Sequence, residues 1–112
     1  TYLGGTRVFQ GYNVIGVAKA GLETTVRYLA SDLGPQKIRV NAISAGRTTT
    51  RAAGGISGSS TIPQVSRDPA PLGKNVELGE VADAAMFLLG PESRGITGEV
   101  MMVDGGFHVM GI

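Results

Sequence analysis

The 112-residue chain has no cysteine, which excludes a disulfide framework and a thiolate metal site and fits a reducing compartment. Neither charge is in excess. Ten Lys and Arg stand against nine Asp and Glu, a formal net charge of +1, so the chain lacks the electrostatic footprint of a DNA- or RNA-binding protein. No apolar run approaches the roughly 18 residues that a membrane-spanning helix needs. The start, Thr1-Tyr2-Leu3-Gly4-Gly5, does not read as a signal peptide. Histidine occurs once. His108, in a glycine-rich tail, reads as neither metal ligand nor base, and no metal site is expected.

What is present is a hydrophobic share of 42%, enough for a folded globular chain whose length suits one domain. Glycine is abundant: 18 residues, about twice the usual share of roughly 7%. They cluster at segment boundaries, so tight turns or close backbone approaches are expected.

Thr1 to Gly11 shows no sustained period and reads as the end of a strand running into a loop. From Tyr12, residues Val14, Ile15, Ala18, Leu22, Val26, Leu29, Ala30 and Leu33 recur at three- and four-residue steps, the stripe of an amphipathic helix with one buried side. Gly34-Pro35 ends it, with Gly34 expected in the left-handed cap position. Gly16 and Gly21 inside this helix each cost about 1 kcal/mol against Ala, a cost most readily borne where another backbone packs close. Ile38 to Ser44 alternates apolar and polar residues and reads as a strand that stops at Ala45-Gly46.

Arg47 to Lys74 is rich in Gly, Ser, Thr and Pro. A loop of that length in a compact domain is usually functional or disordered. Val76 to Leu89 is helical again, with Val81, Ala84, Ala85, Leu88 and Leu89 as its apolar side and Gly90-Pro91 as its stop. Glu99 to Asp104 reads as a short buried parallel strand closed by Gly105-Gly106. This alternation predicts an α/β fold with a parallel sheet. Ligands in such folds bind beyond the carboxyl ends of the strands, where the loops after Ser44 and after Leu3 fall.

Tyr12 and Lys19 open the first helix seven residues apart. Seven helical steps fall about 20° short of two full turns and rise about 10.5 Å, so both side chains are expected on one face. A nearby ammonium favours the phenolate and makes the phenol a better proton donor or oxyanion partner. The long Lys stem could reach back to Tyr12 or out to a ligand's hydroxyls.

The Tyr/Lys helix, the run Ile38-Arg39-Val40-Asn41-Ala42-Ile43-Ser44-Ala45-Gly46 and the terminal Val103-Asp104-Gly105-Gly106 together resemble the short-chain dehydrogenase/reductase superfamily. Most of that superfamily carries Tyr and Lys four apart, yet the residue four after Tyr12 is Gly16. The spacing in Tyr12-Asn13-Val14-Ile15-Gly16-Val17-Ala18-Lys19 is similar instead to the enoyl-acyl-carrier-protein reductases of fatty-acid synthesis. Tyr2-Leu3-Gly4-Gly5, ten residues before Tyr12, matches that family's other active-site tyrosine. Ala18 to Glu23, Val26 to Ala30, Leu33-Gly34-Pro35 and Gly95 to Val100 extend the likeness along nearly the whole chain, Arg47 to Pro69 excepted.

The resemblance implies the C-terminal part of a doubly wound Rossmann-type parallel sheet. Residues 1–112 would form the catalytic portion, with a lid or substrate loop at about 47–74 and the N-terminal dinucleotide-binding half absent. It implies that NADH, or less often NADPH, delivers hydride to the β-carbon of a trans-2-enoyl thioester on acyl carrier protein. Tyr12 would donate to the thioester oxygen, Lys19 would hold the nicotinamide ribose hydroxyls and stabilise the charge near Tyr12, and Tyr2 would line the acyl site as the third catalytic residue. Thr48, Thr49, Thr50, Arg51 and Ala52 occupy the segment that meets the nicotinamide carboxamide and pyrophosphate. Ile56, Ile62 and Val65 are the expected apolar contacts of the acyl chain. A homotetramer is implied, in the cytoplasm or, in a photosynthetic eukaryote, the plastid.

Two departures stand out. The family usually has Pro-Ile-Arg-Thr where Arg47-Thr48-Thr49-Thr50 stands, so only Thr50 matches in type. Ser57 to Ser60 and Pro63 replace the residues of a helical lid, and since Gly, Ser and Pro are poor helix formers a mobile lid is expected. Arg67 and Lys74 are candidate contacts for an acidic carrier protein or scattered surface charges. Asn41 is expected to fix backbone geometry, Asp104 to form a turn, and Met101, Met102 and Met110 to fill space. No strand with a glycine-rich turn and helix precedes Tyr2, and Gly54 to Gly58 does not replace one. Three readings remain: an enoyl reductase, a non-catalytic fragment that only packs or associates, and a carbonyl-reducing member of the superfamily.

Overall fold

The structure is a computed structural model and describes residues 1–48 and 70–110. Helix α1 spans Asn13–Leu33, strand β1 Ala42–Ala45, helix α2 Leu78–Leu89 and strand β2 Val100–Val103. Single turns of 3-10 helix lie at Leu3–Gly5, Gly34–Gln36, Pro91–Ser93 and Phe107–Val109. The two strands are parallel neighbours in the register Ala42 with Val100 through Ala45 with Val103. Parallel neighbours need a long crossover connection, and α2 lies in it, packed on both strands. Among the described residues no helix is long and apolar enough to cross a membrane.

The predicted elements are present, with different edges. The strand expected over Ile38 to Ser44 pairs only from Ala42. Gly98 takes a positive φ of 76° and turns the partner segment, where its N–H donates to the Val40 carbonyl at 2.7 Å and side chains supply the other bonds. The Asn41 amide donates to the Ile96 carbonyl (3.0 Å) while its oxygen accepts from the Glu99 N–H (3.1 Å). Asn41 thus fixes backbone geometry, as its position suggested. Arg39 donates to the Leu88 carbonyl at 2.7 Å and to that of Gly90 at 3.3 Å, placing a cation at the C-terminus of α2, where the helix dipole favours it. At the end of α1, Gly34 is right-handed (φ −54°) and Lys37 takes the left-handed position (φ 63°). The turn through Pro35 delays the reversal by three residues. At the start, Tyr2 has extended backbone (φ −150°, ψ 151°). There the Thr1 amino group donates to the Ile43 carbonyl at 2.7 Å, and the 3-10 turn follows in place of a longer strand end.

The apolar stripe of α1 sits differently from the expectation. Val26 and Ala30 are buried, but the third buried residue is Glu23, while Val14 is 79% exposed and Ala18, Leu22 and Leu29 also face outward. The helix is turned so that Glu23 reaches the first segment, where its carboxylate accepts from the Thr1 hydroxyl at 2.7 Å. On α2, Leu88 is buried and Val81, Ala84 and Ala85 half-buried, whereas Leu89 is exposed. The two helical glycines also differ. A Cβ on Gly16 would lie 2.9 Å from the Gly4 carbonyl oxygen, whereas one on Gly21 would meet nothing within 4 Å. Close approach therefore explains Gly16 and not Gly21.

Candidate active site

The glycine contact between Leu3–Gly5 and α1 places Tyr12. A Cβ on Gly4 would run into the Tyr12 ring, so the bare backbone of Gly4 is one wall of the seat in which that ring lies. Tyr12 stands just before α1, and its carbonyl accepts the helix's first hydrogen bond, from the Ile15 N–H at 2.9 Å. Asn13, with a positive φ of 29°, interrupts the regular 100° step. The seven-residue count from Tyr12 to Lys19 therefore passes through one irregular residue, although Tyr12 itself has helical dihedrals (φ −83°, ψ −31°).

Tyr2 comes to Tyr12 across the turn. Their ring centroids are 5.5 Å apart at 58°, a separation and tilt at which aromatic quadrupoles attract. The phenol of Tyr12 is shifted above its ordinary value of 10.0, first by burial and then by the charge that Tyr2 would carry. The shift runs opposite to the one expected from a neighbouring ammonium, and Lys19 is not among its causes. The shift makes the phenol a weaker acid; like an unperturbed tyrosine it is protonated throughout the neutral range and can donate a hydrogen bond.

Lys19 is half-buried on α1. Among the described residues its ammonium has no ion-pair partner. Beside Tyr12 a groove of about 400 Å³ opens, with Gly4, Phe9, Gly16 and Val17 on its walls. At the carboxyl ends of the strands, a separate narrow cleft of about 10 Å³ joins Tyr2 and Leu3 to Ser44–Arg47 and Asp104. Of the two loops expected on the ligand side, the residues after Leu3 line the groove beside Tyr12, while the loop after Ser44 lines this cleft. Thr48 is half-buried just beyond it. Thr49, Thr50, Arg51, Ala52, Ile56, Ile62, Val65 and Arg67 lie outside the described residues, as does most of the expected lid.

The other candidates have structural partners. Lys74 pairs with Glu80 at 2.6 Å, within a capping box in which the Glu80 side chain accepts from the Glu77 N–H. Its charge is thus committed to the start of α2. Asp104, only 7% exposed, accepts from the backbone N–H groups of Gly106 (3.0 Å) and His108 (2.8 Å) and meets His108 Nδ1 at 2.9 Å. It is a turn former, as its sequence context indicated. Sequence reasoning missed Phe9, whose ring lies 5.5 Å from that of Tyr2 and 6.2 Å from that of Tyr12. The available signal was an aromatic residue three before Tyr12.

Comparison with known proteins gives this geometry a family. The family model described as "Enoyl-(Acyl carrier protein) reductase" matches residues 1–108. The chain is 54% identical over 110 residues to FabI of Staphylococcus aureus strain MRSA252, named an NADPH enoyl-acyl-carrier-protein reductase, covering 98% of this chain and 43% of that protein. It is 49% identical over its whole length to FabI of a Synechocystis strain, named for NADH, and again covers 43% of it. Among solved structures, the Bacillus cereus enoyl-acyl carrier protein reductase with NADP+ and indole naphthyridinone superimposes with a TM-score of 0.92 at 50% identity, over 100% of this chain and 44% of that one. The Anaplasma phagocytophilum reductase in complex with NAD gives 0.88 at 49% identity, over 100% and 43%. The chain spans less than half the length of these relatives, and its two strands and crossover helix are part of a Rossmann-type parallel sheet. On a family match that runs from Thr1 to His108, the chain belongs to the enoyl-acyl-carrier-protein reductases.

Proposed function

We propose that the protein carrying this chain reduces a trans-2-enoyl thioester on acyl carrier protein, in fatty-acid biosynthesis, with NADH or NADPH as reductant. The observation that carries this reading is the Tyr2–Tyr12 pair, with rings 5.5 Å apart and Tyr12 beside an open groove. The reduced nicotinamide, when bound, supplies hydride to the β-carbon of the enoyl group. Negative charge then grows on the thioester oxygen, and a preorganised donor aimed at that oxygen lowers the barrier. Tyr12 is that donor, its phenol carrying a proton at neutral pH. Tyr2, whose ring packs on that of Tyr12 and which lines the neighbouring cleft at the strand ends, is assigned to the acyl side of the site.

Lys19, half-buried and without an ion-pair partner among the described residues, suits a role holding ribose hydroxyls, for which an ammonium with three donors is well matched. Its role is thus binding, and the acidity of Tyr12 is set by other groups. Thr48 to Ala52 are assigned to the carboxamide and pyrophosphate, and Ile56 and Ile62 to the acyl chain. The enzyme is proposed to work as a homotetramer in the cytoplasm. Against the carbonyl-reducing alternative, position 16, four after Tyr12, has no room for a side chain beside the Gly4 carbonyl. The reading as a non-catalytic fragment draws on the exposed apolar residues of α1.

The test follows the loss of reduced-nicotinamide absorbance with a short trans-2-enoyl thioester, using the protein as the cell makes it. Tyr12→Phe is expected to lower kcat about 10²–10³-fold, the effect of deleting one oxyanion donor, with little change in KM for the nicotinamide. Equal and absent rates in both proteins would support the non-catalytic reading, and turnover of a 3-oxoacyl thioester instead would support the carbonyl reductase.

A further inference from the structure

Residues 6–11 form the turn that delivers the chain from the Gly4 seat to Tyr12. Within it Thr6, Arg7, Val8, Gln10 and Gly11 are all exposed, and Val8 is 99% so. Gly11, at a φ of 77°, has nothing within 4 Å of where its Cβ would be. Only Phe9 turns inward. Its carbonyl accepts from the Tyr12 N–H at 3.1 Å, and its ring lies tilted at 38° to that of Tyr2 and edge-on, at 69°, to that of Tyr12. Tyr12 needs such a contact because it stands outside the regular helix, with Asn13 in a positive-φ conformation after it. Gly4 bounds the Tyr12 ring on one side only.

We propose that Phe9 is a positioning residue for the reductase site, whose ring closes a three-ring cluster with Tyr2 and Tyr12 and so sets the direction in which the Tyr12 hydroxyl meets the thioester oxygen. This rests on the function proposed above and adds a determinant to it. Phe9 wedges the two phenol-bearing rings at a fixed mutual angle, while the exposed remainder of the turn contributes no other side chain to the task. Orientation matters steeply here, since a misplacement of about 1 Å in a catalytic group can cost about 10²-fold in rate. The effect falls on kcat, because binding of the nicotinamide is assigned to other residues.

The experiment compares Phe9→Leu and Phe9→Met, which keep apolar bulk and lose the ring, with Phe9→Tyr, which keeps the ring, all in the protein as the cell makes it. Leu and Met are expected to lower kcat for the enoyl thioester about tenfold or more with KM for the nicotinamide within about twofold, and Tyr to restore kcat. A ring-orienting role also predicts a change in the Tyr12 phenol itself. Its tyrosinate absorbance titration, taken as the difference from the same protein carrying Tyr12→Phe, returns toward 10.0 in the Leu and Met variants and stays high in the Tyr variant. Wild-type kcat in the Leu and Met variants, an equal loss in all three, or an unmoved titration overturns the proposal. If the wild type fails to reduce any enoyl thioester, the reductase reading falls by itself. The titration then still decides whether Phe9 holds Tyr12.

Discussion

A single missing methyl group separates two kinds of glycine in this chain. Gly4 has no room for a Cβ because the Tyr12 ring occupies that space, and Gly16 has none because the Gly4 carbonyl does, whereas Gly21 faces open space. Overpacking a tight contact costs about 1–3 kcal/mol, and at Gly4 the displaced group is the proposed proton donor. Gly4→Ala is therefore expected to lower kcat about tenfold or more. Gly21→Ala should leave kcat unchanged and raise stability by about 0.4–1 kcal/mol, through helix propensity and a less flexible unfolded chain. Paired turnover and urea-unfolding measurements check both, and an active Gly4→Ala protein would contradict the seat. Tyr2, Tyr12 and Lys19 were legible as residues because their types and spacing form a motif. Phe9 and Gly4 were not, because contact across a turn leaves no period in the sequence.

Among the elements, the helix bodies were legible and their ends less so. Apolar residues at three- and four-residue steps mark α1 and α2, and α1 stops at Gly34 as expected, but the left-handed residue is Lys37 because the chain carries on through a 3-10 turn past Gly34. The junction after α2 is held by groups that no propensity identifies. Ser93, fully buried, donates to the Leu88 and Gly90 carbonyls at 2.9 and 3.1 Å, and Arg39 donates to the same two carbonyls from 49 and 51 residues away in sequence. The turn after β2 depends on Asp104. Burial pushes its carboxyl up, but the hydrogen bonds from His108 and Gly106 outweigh that and hold it below the ordinary 3.8. A carboxyl lowered in the folded state stabilises the fold above its unfolded value, and that contribution is lost as pH falls through the folded one. Stability measured by urea unfolding is thus expected to decline as the solution is acidified below 3.8, with a shallower decline in Asp104→Asn. Parallel acid limbs in the two proteins would remove Asp104 from this role.

At the scale of the whole chain, few apolar residues reach full burial. Among the described residues they are Leu3, Val26, Ala30, Ala70, Val76 and Leu88, while Val14, Val17 and Tyr28 on α1 and Leu78, Met86 and Leu89 on α2 are 67% exposed or more. Exposed apolar surface of this kind marks contact sites or aggregation liabilities, and a two-stranded sheet presents unpaired edges. The 112-residue chain produced alone is expected to self-associate or to unfold without cooperativity. Sedimentation and thermal melting test this, and a monomer with a sharp two-state transition would refute it.

The amino-acid order alone determined the alternation of helix and strand, the parallel α/β class and the family, because periodicity, turn residues and motif spacing are local properties of a chain. It also named Tyr2, Tyr12 and Lys19. Only the tertiary structure decided which side of α1 is buried, since Glu23 rather than the apolar stripe reaches Thr1. It likewise decided that Tyr12 stands ahead of the helix, with its phenol made a weaker acid by burial and Tyr2 instead of a stronger one by Lys19. Desolvation and ring contact depend on neighbours distant in sequence, so they arise only once the turn through Phe9 has closed.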